Sequence, residues 1–471
     1  MPWGTIGVAP PGEVSTIAQD PTLTSRRVVA VYFISGGLFT LSASLIWGVN
    51  TLFLLDAGLD IFQVMLVNAA FSAGQVLFEV PTGVVADTIG RKASYLLGIA
   101  TLLVATMLYV ATAEYAWGIW AFVGASVLLG FGFTCQTGAV DAWLVDALNH
   151  LRYEGLHEQV FAQAGMVSGA AMLVGTLAGG FLGQIDLSVP YLVRSGTLGL
   201  AFAFVLLTMR EVGFTPRPLK WRRFGAETRV IFDAGVRYGW RHPVVRPMLF
   251  VSAAQGVFML YFFYSMQPFA LDLLGRPDLV WVAGALAALF GLAGIVGNTL
   301  VGPVMRSKKG RRRASSVLAV MAALTALCAA AIGLVGLLAP GGGSLVAFGL
   351  VVVVGGVFWG VLFGIMQPVA QAYLNEHIPS AQRATVLSVA SFFSEAGGMA
   401  GQPALGWLSR MTSIPVGYLV GSVFMGVAAP LLRMAGRGED VAAGRIAQAA
   451  EEVPLPVGEA APCVSCKTGA E

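Results

Sequence analysis

The sequence predicts an all-α membrane protein whose twelve transmembrane helices form two pseudo-symmetric six-helix bundles. Three observations carry this. Of 471 residues, 56% are hydrophobic and only 11% charged, with a mean hydropathy of +0.77, against roughly 25% charged residues in a soluble domain. The apolar residues come in runs that supply the about 20 residues a helix needs to cross a hydrocarbon core of roughly 30 Å. Short motifs also recur six runs apart. The runs are apolar on every face, which excludes a transmembrane barrel, whose strands would alternate over about ten residues.

In chain order the spans are expected at 29–54, 62–86, 93–113, 117–141, 160–185 and 190–209, then 247–271, 279–304, 315–338, 344–374, 384–408 and 414–434. The tenth is long enough to be tilted or to project from the bilayer. With both termini inside, only Arg194, Arg276 and Arg410 of the 28 lysines and arginines fall outside. That satisfies the positive-inside rule, and losing a middle span would scramble the alternation. The expectation is therefore a multi-pass inner-membrane protein with both termini cytoplasmic.

A cytoplasmic segment (1–28) precedes the first bundle (29–209), and a linker (210–246) leads to the second (247–434). The tail, 435–471, is expected to be disordered. In the linker, Phe224, Thr228, Ile231, Gly235 and Tyr238 share one helical face near Arg222, Arg223, Arg229 and Arg237. This pattern suits either an amphipathic helix on the inner leaflet or a solvated connector. Cys135 and Cys328 sit in spans and Cys463 and Cys466 in the tail, so no disulfide framework is expected. The tail pair has the spacing of half a zinc site with no second pair to complete it, so no metal is assigned.

The halves repeat. Asp141-Ala-Trp-Leu-Val-Asp146 ends the fourth span as Gln371-Ala-Tyr-Leu-Asn-Glu376 ends the tenth. Gly175-Thr-Leu-Ala-Gly179-Gly180 in the fifth matches Gly401-Gln-Pro-Ala-Leu-Gly406 in the eleventh. Internal repeats of this kind mark transporters that alternate access around a midplane site.

The most specific stretch joins spans two and three: Gly83-Val-Val-Ala-Asp87-Thr-Ile-Gly90-Arg91-Lys92. Gly83 allows close helix approach, Asp87 lies one turn further on the same face, and Gly90 permits a tight turn held by the two cations. The stretch resembles the major facilitator superfamily signature, G-x-x-x-D-x-x-G-R-[KR], and the resemblance covers 29–434. It implies two bundles that rock about a central cavity. It also implies that Asp87 pairs with the inner end of span eleven, where Arg383 is the local candidate, when the cavity opens outward. The glycines of span five resemble the family's antiporter motif, G-x-x-x-G-P-x-x-G-G. Ala171 and Thr176 depart from it, and close packing through small residues explains the same glycines. Drug/proton exporters of the superfamily, the branch this chain resembles, often carry an arginine in span four, but Gly130–Gln136 has no basic residue.

Acids at bilayer depth face cavities and mark pathways. Glu395 lies near the midplane of span eleven, and Glu79 two turns before Asp87. A carboxyl held away from counter-charges exchanges protons near neutral pH. Glu395 or Glu79 is therefore the expected proton carrier, the other reading being a neutral acid that ties helices together. Asp141 and Asp146 are further candidates, either as partners of Arg91 or as helix-end charges. Arg194, four residues into span six, is expected to snorkel outward.

By the resemblance, spans one, four, seven and ten line the cavity, offering Trp47, Asn50, Gln136, Tyr264, Gln267, Trp359 and Gln367. Aromatics with scattered amides suit lipophilic organic molecules. An organic-anion carrier would need a cavity cation, and none is expected at midplane. There is no G-x-x-x-x-G-K-[ST] loop for an ATP-driven pump, and the basic clusters suit lipid headgroups rather than nucleic acid. The expected function is non-enzymatic, without cofactor: a monomer exporting a small organic compound against proton entry. An uptake permease or uniporter of the same fold is the alternative, and a non-transporting sensor or scaffold a distant one.

Overall fold

The computed structural model describes residues 24–214, 236, 239–306, 314–379 and 382–451. The first bundle contains span one (Ser25–Trp47, continued by Asn50–Asp56), two (Ile61–Ile89), three (Arg91–Glu114), four (Ile119–His150), five (His157–Gly183) and six (Val189–Thr208). The second contains span seven (Val245–Leu274), eight (Val280–Thr299, continued by Val301–Arg306), nine (Ala314–Leu338), ten (Leu345–Glu376), eleven (Arg383–Met411) and twelve (Ile414–Glu451). The linker face from Phe224 to Tyr238 and the cysteines 463 and 466 lie outside the described residues.

Local chemistry sets several helix starts. Thr24 caps span one by accepting from the Arg27 backbone N–H, and Ser344 caps span ten through Ala347. Asp60 and Gln63 form a reciprocal capping box at span two. Among the described residues, eleven helices are long and apolar enough to cross a bilayer. Span eleven falls short in hydropathy because it carries Ser388, Ser391, Ser394, Glu395 and Gln402. It packs between spans seven and two rather than against lipid alone, so its polar residues have protein to face.

Two departures from the expected spans stand out. The helix of span twelve runs on to Glu451, so residues 435–451 are not the disordered start of a tail. This stretch is rich in alanine, the best helix former. Span ten is not one regular helix: Gly360–Met366 forms a π-helical turn between Leu345–Trp359 and Gln367–Glu376.

Each bundle has its own core. Tyr95, Trp143, Leu144, Tyr191 and Leu198 anchor the first. Phe258, Phe262, Phe358 and Tyr418 anchor the second. The repeated motifs occupy equivalent places. Trp143 Nε1 donates to the Arg210 carbonyl beyond span six (2.8 Å), and Tyr373 OH donates to Glu439 near the end of span twelve (3.3 Å). Likewise Gly175 and Gly179 abut span one while Gly180 abuts span eight; Gly401 abuts span seven while Gly406 abuts Met65 of span two. At each of these glycines an added Cβ would meet atoms of a neighbouring span.

Candidate functional site

The bundles meet along a seam at one end of the molecule, the side bearing Asp60, Asp278 and Arg410. Gln184 Nε2 donates to the Asp278 carbonyl (2.6 Å), and the Trp281 N–H donates to Gln184 Oε1 (3.3 Å). Gln267 Nε2 donates to the Trp47 carbonyl (2.7 Å), and Arg410 pairs with Asp60 at 3.3 Å. Phe181 stacks on Trp281 with centroids 6.0 Å apart. Three glycines, Gly48, Gly180 and Gly284, bring spans one, five and eight to backbone contact. A Cβ on Gly284 would lie 2.7 Å from Gly180 Cα and 2.7 Å from the Thr176 carbonyl. Of the three, Gly180 lies in the span-five glycine motif, and its partners Gly48 and Gly284 lie in none.

At the opposite, Arg- and Lys-rich end, cavities open in each bundle. One of about 420 Å³ is lined by Glu79, Thr82, Asp87, Arg91 and Thr134. One of about 320 Å³ is lined by Ser252, Gln255, Gln367, Gln371 and Ser391. A third, about 210 Å³, takes Tyr32, Gln136 and Asp141. The molecule is therefore sealed on the far side and open on the basic side.

The signature loop is built as a charged knot. Gly90 has φ +119°, a conformation that side-chain-bearing residues rarely adopt, and it ends span two. Arg91 Nη1 pairs with Asp87 at 2.5 Å, and its Nε lies 3.6 Å from Asp146. Glu211, which the sequence analysis did not single out, caps span three: it accepts from the backbone N–H of Arg91 (3.1 Å) and Lys92 (2.8 Å). A carboxylate suits the positive end of that helix. A Cβ at Gly90 would meet Glu211 Oε2 at 2.8 Å, so the glycine makes room for the cap. Gly83 is exposed with open space around it. Arg383 instead donates to the Asn375 carbonyl (3.3 Å). Of the two acids closing span four, Asp146 reaches Arg91 while Asp141 accepts from Tyr32 OH at 2.6 Å.

Spans two and eleven run antiparallel, with Gly406 against Phe62 and Met65. Roughly three turns toward the basic side, that register sets Glu395 level with residues near 73–76 of span two, about one to two turns before Glu79. Glu395 is half-buried and Glu79 exposed.

The expected cavity residues divide among four places. Trp47, Asn50 and Tyr264 share a central cavity of about 80 Å³ with Phe39, Asn68, Phe71, Tyr109, Phe133 and Arg194. Gln267 and Trp359 line a smaller aromatic pocket with Phe262, Phe263 and Phe290. Gln136 and Gln367 belong to basic-side cavities. Trp359 and Gln367 line different cavities, eight residues apart along span ten with the π turn between them.

Arg194 corrects an expectation. It does not snorkel outward; it is 6% exposed and lines the central cavity, with Nε donating to Thr106 Oγ1 at 3.2 Å. Around it, Tyr191 OH donates to Asn50 Oδ1 (2.8 Å), Asn50 donates to Asn68 (3.0 Å), and Tyr109 hydrogen-bonds Ser126. A cavity cation is present after all.

Two helical bundles, joined at one end and open at the other, make a polytopic all-α membrane fold. The model of the Major Facilitator Superfamily matches residues 32–401, and the chain belongs to that family. It is similar to the class C tetracycline resistance protein of Escherichia coli (28% identity, 52% of this chain, 58% of that protein). It is also similar to the class E protein of Escherichia coli (32% identity, 30% of this chain, 33% of that protein). The chain thus matches between a third and three fifths of the length of these relatives. Among solved structures it resembles the nucleoside transporter NupG (D323A mutant), with TM-score 0.68, 13% identity, and coverage of 87% of this chain and 99% of that one. It also resembles a D-xylose-proton symporter, with TM-score 0.63, 13% identity, and coverage of 86% and 97%. The structural likenesses speak for the fold.

Proposed function

We propose that this carrier couples movement of a small organic solute to protons through Glu79 and Glu395. The observation that supports the reading is an acid on each of two spans that pack against each other across the bundles, Glu79 on span two and a half-buried Glu395 on span eleven. In this reading like charges repel between the two spans and favour the basic-side opening; taking up a proton on either acid removes the repulsion and lets the bundles close. In proteoliposomes, Glu395→Gln should abolish pH-driven uptake of a transported solute while leaving counterflow exchange intact. Full gradient-driven transport by the Glu79→Gln, Glu395→Gln double variant would overturn the proposal.

Asp87 and Arg383 complete the cycle in this reading. When the far side opens, the start of span eleven approaches the signature loop and Asp87 exchanges Arg91 for Arg383. Arg91 and Lys92 anchor the loop throughout, with Gly83 at the contact. By the charge asymmetry the basic side faces the cytoplasm of a cell whose inner membrane holds the monomeric protein.

For direction we favour an uptake permease, because Ala171 and Thr176 break the antiporter pattern and 130–136 carries no relay cation. Export against proton entry is the second reading, favoured by the tetracycline resistance named for the partial relatives. Everted vesicles with an acid lumen separate the two, with tetracycline as the first probe. An exporter concentrates the compound inside, and a permease does not.

A further inference from the structure

The central cavity holds a cation with nothing to balance it. Arg194 is buried, and among the described residues its one hydrogen bond runs from Nε to Thr106 Oγ1 and no carboxylate lies within ion-pair distance. Its two terminal nitrogens have no acceptor among the described residues. Taking a guanidinium out of water without a partner costs several kcal/mol. A fold keeps such a group where something else supplies the negative charge.

The surroundings describe what that is. Asn50, Asn68 and Tyr109 line the cavity beside the cation, and Phe39, Phe71 and Phe133 make its apolar wall. Phe133 packs against both other rings, with centroids 5.7 Å and 6.0 Å away. Tyr264 reaches in from the second bundle. The free space, about 80 Å³, is well short of the roughly 300–1,000 Å³ of a drug-sized site. It admits a small acid group; a cavity of about 150 Å³ takes one benzene, so an adjoining ring enters as the bundles move apart. A guanidinium binds a carboxylate through two parallel N–H donors.

We propose that Arg194 is the anchor for the anionic group of the solute, so that the carrier takes small aromatic anions, carboxylates foremost, with the ring against Phe39, Phe71 and Phe133. This rests on the solute-carrier reading above and narrows its substrate class. Because Tyr264 belongs to the other bundle, an anion held by Arg194 draws both halves onto itself.

The test uses full-length purified protein in detergent, with salicylate and its uncharged analogue salicylamide as probes and tryptophan fluorescence as the readout. Wild type should bind salicylate at least tenfold more tightly than salicylamide. Arg194→Gln should remove that preference, and Arg194→Lys should keep part of it. Binding is read in detergent with no proton gradient across the protein, so loss of the anion site is told apart from loss of proton coupling, which only the proteoliposome assay reports. Equal binding of the two probes by wild type would overturn the proposal, as would a preference for salicylate that survives in folded Arg194→Gln. Chloride displacing salicylate at equal concentration would make the counter-charge inorganic and would also overturn it. Should Arg194→Gln fail to fold, the wild-type comparison of the probes and chloride still decides.

Discussion

The far-side seam depends on three glycines, and adding one methyl group there should reverse the resting state of the carrier. In Gly284→Ala the new Cβ would stand 2.7 Å from Gly180 Cα, 2.7 Å from the Thr176 carbonyl and 3.0 Å from Gly180 N. All three are backbone atoms, so no side chain can swing aside. Overpacking of this kind costs about 1–3 kcal/mol. Only the state sealed on the far side bears that cost, because the spans separate when that side opens. A bias of that size changes a two-state ratio about 5- to 150-fold. The reporter is Ser391→Cys, exposed in the basic-side cavity of the second bundle, in a background where the four native cysteines are serine. A membrane-impermeant maleimide reaching it from the basic side should react more slowly in Gly284→Ala, by up to that factor, and more slowly still in Gly284→Val. An unchanged labelling rate in both variants, with the protein still folded, would refute the argument that this contact holds the far side closed.

Other expectations follow from the same geometry. Gly90→Ala forces φ +119° on a residue with a Cβ that meets Glu211, and should lower stability by about 1–3 kcal/mol, measured by thermal unfolding in detergent. Glu211→Gln should cost less, about 0.3–1 kcal/mol from the helix dipole, and the loss should shrink in high salt. The Asp60–Arg410 pair is 34% and 49% exposed, so Asp60→Asn should change the melting temperature little, consistent with about 0–1 kcal/mol for such pairs. Trp143→Phe removes the hydrogen bond to the Arg210 carbonyl and should destabilise by about 0.5–1.5 kcal/mol, seen as an earlier unfolding transition.

The twelve helices were legible because bilayer thickness writes a length into the sequence, and the motif at 83–92 was legible because its chemistry is local. Arg194 was not, because its distance from the end of span six does not say which way it faces. A signal was nonetheless present. Tyr191, Arg194, Ser195 and Leu198 follow helical spacing and form the buried face, whereas the exposed positions Leu192, Val193, Leu200, Leu206 and Leu207 are all apolar. An arginine sharing a stripe with Tyr and Ser turns inward. The seam was illegible for another reason: Gln184 and Asp278, or Trp47 and Gln267, are joined only when two separately folded bundles meet. The placing of Glu79 and Glu395 was half legible, since each acid stood out alone and only the packing of span two against span eleven puts them on neighbouring spans of the two bundles.

The π turn at 360–366 has one more consequence. It inserts a surplus residue into span ten, and each α-helical residue subtends about 100°. The turn absorbs that surplus residue locally, so deleting one residue there would restore regular winding while leaving Trp359 and Gln367 on either side in nearly their present orientations. What such a deletion would remove is the widened stretch of wall itself, at the place where Gly297 of span eight lies against the backbone of Gly360 and Gly364.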